Sequence, residues 1–265
     1  MRRCQLFEFE DLPWFPDPVR AAIVELLGAA HRRTGLGAAL VPSFLRVLEA
    51  SGCRSVLDLC SGAGGPVTLL LEALQAEGRP LPRVLLSDLY PRLEPWTMLK
   101  QRWGAQLDFV PRPVDATALP GELLDGPDGK LVTVVSALHH FPEEMVRALL
   151  GELAVHGAAI YVAECFPRSL LRASAYLPAL LSELAVGSQQ LRRAGPLRAL
   201  LYHPLALLGG LWDYFASILR IHEGEELLQL ARRIAPHYSW GHGLAPFPPW
   251  GRALYFWGIP PAAPR

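Results

Sequence analysis

The stretch Val56-Leu57-Asp58-Leu59-Cys60-Ser61-Gly62-Ala63-Gly64-Gly65-Pro66 decides how the chain is read. An apolar run ending in an acid, then a glycine cluster, then Val67-Thr68-Leu69-Leu70-Leu71, is the pattern of a strand, a tight turn and a helix N-terminus. Glycines in such a turn let the backbone take left-handed angles and approach a ligand closely. A dinucleotide fingerprint, GxGxxG, needs a third glycine for helix–strand packing. Gly62 and Gly64 fit it, but Val67 stands in the third place. No GK[ST] follows the glycines, which excludes a P-loop.

Outward from this turn the pattern alternates. Short Val/Leu/Ile-rich runs at 54–59, 83–87, 107–110, 131–136 and 158–163 read as strands, with helical stretches at 66–77, 92–103 and 143–155 between them. Alternation of this kind predicts βαβ units and a mostly parallel sheet, whose ligands bind at the carboxyl ends of the strands. Two amphipathic helices, 17–31 and 36–50, precede the first strand. Two strand-like pieces, His237 to Leu244 and Arg252 to Ile259, flank the proline-rich APFPPWG and predict a terminal hairpin. About seventy residues separate strand five from that hairpin, far beyond the ~12 a crossover needs. They are apolar and helical in pattern, so a helical insertion is expected between strands five and six.

The strand ends carry acids and histidines. Strand two runs into Asp88-Leu89, the third leads to Asp115-Ala116, and the fourth opens into Ser136-Ala137-Leu138-His139-His140-Phe141-Pro142. An acid after strand two can hold both hydroxyls of a ribose, and one after strand three can accept from an exocyclic amine. Four segments in this order, VLDLCSGAGG, LLSDLYP, VDATALP and VVSALHHFP, resemble the class I S-adenosylmethionine-dependent methyltransferases over about residues 36–166 and the hairpin. Cys60 stands where that family commonly has glycine. The resemblance implies an α/β fold with a Rossmann-like, mostly parallel seven-stranded sheet and a C-terminal β-hairpin. It divides the chain into an N-terminal helical segment (1–50), a core for S-adenosyl-L-methionine (51–166 and 234–265) and a helical lid (167–233). Asp58, Cys60, Ser61, Gly62 and Gly64 are expected to line the methionine end of the cofactor. Asp88 is expected to hold the ribose, with Leu89 against the adenine. Asp115 is expected to receive the adenine amine beside Ala116, with Ser136 at the reactive end.

For catalysis, His139 and His140 sit where an acceptor should arrive. An ordinary histidine pKa of about 6.5 would let one act as a base at neutral pH; the alternative is packing or helix capping at Pro142. In the insertion, Tyr214 and His222 are candidate acceptor contacts, while Asp213 and Arg220 share a helical face and read as an internal ion pair. Trp14 and Phe15 are expected to close the site from the N-terminal side or to staple onto the first helix.

Composition narrows the partners. Hydrophobic residues make up 51% and charged residues 19%, and 25 Lys+Arg balance 25 Asp+Glu. A neutral chain lacks the cationic footprint of a nucleic-acid binder. Four cysteines without a CxxC pair or a metal-ligand cluster predict free thiols, no metal and a cytoplasmic setting. The N-terminus reaches Glu8, Glu10 and Asp11 without an apolar run, so it does not read as a signal peptide. The expected acceptor is a small, largely apolar molecule methylated on oxygen or carbon, because no [DN]PPY follows strand four. Two alternatives stand beside it. One is peripheral membrane contact through Leu197–Ile221 to reach a lipid or quinone-like acceptor; the other is a cofactor-binding protein that transfers no methyl group.

Overall fold

Seven strands form one sheet in the computed structural model, which describes residues 1–125, 129–186, 188, 191–192 and 195–261. In chain order they are β1 (Ser55–Asp58), β2 (Arg83–Leu86), β3 (Leu107–Phe109), β4 (Lys130–Val135), β5 (Ala159–Glu164), β6 (Ser239–Phe247) and β7 (Gly251–Ile259). Their spatial order is β3-β2-β1-β4-β5-β7-β6. The first five are parallel, and β7 pairs antiparallel with β5 and β6. The order reverses between β1 and β4, the switch point at which such sheets leave a crevice beyond the strand ends.

Central strands are apolar on both faces because both faces are covered. Along β4, Leu131 and Val135 enter one core cluster and Val132 and Val134 the other. The first face is covered by α1 (Asp17–Thr34), α2 (Leu36–Ser51), α3 (Gly65–Ala76) and α4 (Leu93–Trp103), through Leu40, Phe44, Leu70 and Trp96. The other carries α5 (Glu143–Val155), through Leu149 and Leu153.

The segment between β5 and β6 forms α6 (Leu170–Ala173), α7 (Leu177–Val186), α8 (Pro196–Arg220) and α9 (Gly224–Ile234). Two details differ from the sequence expectation. α8 runs unbroken through Pro204, whose ring lies on the exposed side of the helix. α9 falls inside the stretch expected to be lid, yet Leu227, Leu228 and Ala231 pack into the same core as α5. No helix among the described residues is long and apolar enough to cross a membrane.

α8 lies against α1, where Phe15, Val19, Ile23 and Ala206 make a third small core. Gly209 allows this contact, since a Cβ there would meet Ile23 Cδ1 at 3.2 Å and Phe15 Cζ at 3.4 Å. The first sixteen residues then run as a strap over the C-terminal half of α8. Cys4 N–H bonds Leu219 O at 2.9 Å and Trp212 Nε1 donates to Phe7 O at 2.9 Å.

Candidate active site

The two strands at the switch point end in the same unusual way. Cys60, after β1, and Ser136, after β4, both sit at φ 55°, a left-handed angle that costs a non-glycine residue ~1–2 kcal/mol. Such strain persists where the surrounding structure enforces it, and it clusters at ligand sites. Here the enforcement is visible. Ser61 N–H bonds Ser87 O at 3.1 Å, and Ser136 N–H bonds Ala163 O at 2.7 Å.

Asp58 anchors the turn from below. It pairs in register with Thr133, whose Oγ1 donates to Asp58 Oδ1 at 2.6 Å, while Ser61 Oγ donates to Oδ2 at 2.7 Å. Burial pushes its carboxyl up to about 7 against those two bonds. Asp58 does not reach the cleft surface. Its place is under the turn, a correction to its expected contact with the cofactor.

The two glycines do different jobs. Gly62, at φ 53°, faces open space where its Cβ would be. A Cβ on Gly64, at φ 80°, would lie 2.5 Å from Leu99 Cδ1, so that glycine serves packing. Gly62 N–H donates to Asp88 Oδ2 and Tyr90 N–H to Asp88 Oδ1, both at 2.8 Å. Each carboxylate oxygen accepts one of these bonds and keeps further acceptor capacity, and the residue borders the cleft. Cys60, Ser61, Gly62, Asp88, Leu89 and Ser136 line this cleft of about 380 Å³. Asp115 and Ala116 do not. Asp115 Oδ1 accepts the Thr117 N–H and hydroxyl in an Asx turn, and Ala116 is buried in the core.

Beside Ser136 the cleft adjoins a smaller cavity of about 90 Å³. Glu10, Leu27, His31, Ser136 and His140 border both spaces. His139 lies at its wall, with Nδ1 2.9 Å from Glu164 Oε2 and its backbone N–H 3.0 Å from Oε1. Burial opposes a charge on the ring, but the Glu164 carboxylate outweighs it and lifts His139 to about 9. The carboxylate thus favours the charged ring, where the sequence reading expected a free base of ordinary pKa. His140 pairs with Asp11 at 3.0 Å. His31, buried, drops to about 4, and its Nε2 lies 2.7 Å from Cys165 Sγ, a thiol that burial pushes up to about 12. Both are neutral, so they form no thiolate–imidazolium pair.

Other expectations shift as well. Asp213 and Arg220 do not pair with each other. Asp213 accepts the Phe9 and Glu10 backbone N–H groups at 2.6 and 3.3 Å, and Arg220 bridges Glu8 at 3.0 Å and Asp11 at 2.7 Å. Their shared helical face looks onto the strap, which supplies partners for both. Tyr214 lines the cavity, its hydroxyl donating to Ala173 O at 2.6 Å. His222 lies outside it, tied to Phe141 O at 2.8 Å. Trp14 is 69% exposed and Phe15 is buried against α1 and α8, so neither closes the site. That closure comes from Glu8, Glu10 and Asp11 of the same segment. Glu8, His139 and His140 bring three possible ligand atoms within 4.8 Å of one another. Arg220 already pairs with Glu8 there at 3.0 Å.

No family model matches the chain, and neither does any curated relative. Among solved structures, the CurJ carbon methyltransferase superposes with a TM-score of 0.52 at 11% identity, covering 92% of this chain and 61% of that one. The fold is that of a class I methyltransferase. Human N-acetylserotonin methyltransferase in complex with S-adenosylmethionine is also similar (TM-score 0.49, 14% identity, 92% of this chain and 55% of that one). So is PigF with S-adenosylhomocysteine (TM-score 0.49, 18% identity, 94% of this chain and 62% of that one). The chain thus spans little more than half of these structures' own lengths. Within the methyltransferase fold, the cleft here occupies the crevice beyond β1 and β4, and the strap and α8 enclose the cavity beside it.

Proposed function

We propose that this chain transfers a methyl group from S-adenosyl-L-methionine to a small molecule. The observation that carries the reading is the open corner at Gly62 and Asp88, bordered by left-handed Cys60 and Ser136, which adjoins a second, largely apolar cavity. The residues fit the cofactor. Gly62 leaves room that a Cβ would take, Asp88 keeps a lone pair on each oxygen for the ribose, and Leu89, 43% exposed, offers an apolar face beside it. The cleft volume falls within the ~300–1,000 Å³ of small-molecule sites.

When bound, the sulfonium supplies an electrophilic methyl group. The chain's own residues must hold the acceptor in line, exclude water and stabilise charge on the acceptor atom. Leu27, Phe166, Tyr176, Tyr214 and Ile221 give the cavity apolar walls, which supports a largely apolar acceptor body. His139, whose charged form Glu164 favours, suits an oxygen or activated carbon that reacts as the anion, its proton given up to solvent before transfer. Isotope-labelled methyl donor, incubated with a panel of small phenols and activated carbon acids, tests this reading. It calls for labelled product with stoichiometric S-adenosylhomocysteine. Binding of the donor without turnover of any acceptor would favour a non-catalytic binder.

A row of exposed apolar side chains on α8, Leu197, Leu201, Leu205, Leu208, Trp212 and Phe215, favours a second reading in which the enzyme docks on a membrane to reach its acceptor. Co-sedimentation with anionic vesicles distinguishes the two. The four free thiols and balanced charge support a cytoplasmic enzyme with no nucleic-acid partner.

A further inference from the structure

The acids around the cavity can be accounted for one by one. Glu8 accepts from Arg220 and from Ser217 Oγ, both at 3.0 Å. Glu164 holds His139, and Asp11 holds Arg220 and His140. Asp213 takes two backbone N–H groups. Glu10 is the exception. Its Oε1 is inaccessible to solvent and accepts no hydrogen bond, although the side chain borders both the cavity and the cleft. An unsatisfied buried polar atom costs ~1–3 kcal/mol, more when charged, so a missing partner is the natural account of it.

From this we infer, taking the cavity as the acceptor site, that the acceptor carries a protonated basic nitrogen and that Glu10 receives it. Charge points the same way as the hydrogen-bond census. Arg220 and His139 pair with Glu8 and Glu164, and neither Glu10 nor Asp213 has an ion-pair partner among the described residues. Arg92, on the cleft side, makes no ion pair with Glu10 among the described residues, and its charge only partly opposes the rise of that carboxyl. Burial, with Asp213 and Glu8 beside it, lifts the Glu10 carboxyl to about 8; burial likewise lifts Asp213 to about 7. Both values express burial first and the neighbouring carboxyls second. A neutral hydroxyl would meet the hydrogen-bonding need alone, whereas an ammonium meets both. The apolar walls at Phe166, Tyr176 and Tyr214 complete the description: a small aryl or alkyl amine, with its nitrogen toward Glu10 and the methylated atom elsewhere on the body.

Benzylamine and benzyl alcohol, equal in shape and different in charge, are the probes. Their affinities for the full chain are compared by calorimetry or ligand-observed NMR, with and without S-adenosylhomocysteine. The expected result is benzylamine binding about 10-fold or more tighter than the alcohol, the scale of one charge-assisted hydrogen bond. In Glu10→Gln, with folding checked by circular dichroism, the ratio should fall to about 1. Equal affinities in the wild type would overturn the inference, a comparison that needs no variant. A preference retained in Glu10→Gln would overturn it too. So would a Glu10→Gln variant that loses S-adenosylmethionine affinity more than S-adenosylhomocysteine affinity, because Glu10 would then face the sulfonium. The wild-type S-adenosylhomocysteine titration, run alongside, tests the cofactor cleft separately.

Discussion

The two halves of the site are built by different means. The cleft half is backbone: two left-handed strand ends, an open glycine and one carboxylate held by main-chain N–H groups. Its parts come from short segments that each end a strand, so the fold itself places them. The cavity half is side chains from distant parts of the chain. Glu8, Glu10 and Asp11 of the strap meet His31 of α1, His139 after β4, Glu164 of β5 and Asp213 of α8. The first half reads as a general device for holding a cofactor. The second is an individual solution, and its chemistry is where this chain's specificity should lie.

The largest effect should come from breaking the second half. Arg220→Met leaves Glu8, 2% exposed, without its guanidinium partner and with His139 Nε2 at 3.9 Å, and a buried partner removed in this way costs ~3–5 kcal/mol. Urea unfolding should record that loss, and limited proteolysis should cut within residues 1–16 sooner than in the wild type. A variant as stable as the wild type would mean that the ion pair does not hold the strap.

Breaking the first half should act on binding instead. Asp88→Ala removes two charge-assisted bonds to the ligand, ~3 kcal/mol together, or about 100-fold in S-adenosylhomocysteine affinity. Its stability should fall by ~1–3 kcal/mol, from the Gly62 and Tyr90 N–H bonds it accepts. The glycines sharpen the point. Both Gly62→Ala and Gly64→Ala carry the ~1–2 kcal/mol strain of a left-handed alanine. Thermal unfolding should show the further crowding against Leu99 in Gly64→Ala alone, and titration should show lost cofactor affinity mainly in Gly62→Ala.

The smallest effect is one of pH. Glu10 and Asp213 are raised to about 8 and about 7 from ordinary carboxyl values of ~4. The folded strap therefore binds protons that the undocked strap releases, and docking weakens as pH rises through 7 to 8. His139, raised to about 9, acts in the same direction, because its contribution is full below ~6.5 and lost through 9. Asp11, held well below the usual range by His140 and Arg220 despite burial, matters only in acid. Exchange of the Phe9 and Glu10 amides, corrected for intrinsic rate, should be faster at pH 9 than at pH 6. Equal protection at both would contradict the assignment.

The same contrast explains what could be read from the sequence. β1, β2 and β5 lie within a residue or so of the runs at 54–59, 83–87 and 158–163, because Val/Leu/Ile periodicity is a local signal. Glycines and acids at strand ends marked the cleft, although they did not separate Gly62, which faces the ligand space, from Gly64, which faces Leu99. Asp58 and Asp115 have the right residue type at the right spacing, yet both Asp58 oxygens are taken by Thr133 and Ser61, and Asp115 Oδ1 is taken by Thr117. Only three-dimensional neighbours reveal that. The cavity half has no local motif, since Glu10 and Asp213 meet across some two hundred residues of chain. Glu164 was within reach of the strand-end rule, as the acid that closes β5. Trp14 and Phe15 drew attention by size, but the acids of FEFED beside them enclose the site.

Calorimetric titration of the purified chain with S-adenosylmethionine and S-adenosylhomocysteine tests the central claim most directly. The account predicts that both bind at one site, compete with each other, and lose affinity together in Asp88→Ala. A folded wild-type chain that binds neither would contradict it, and the turn at Cys60 to Gly65 would then be a structural feature with no cofactor to hold.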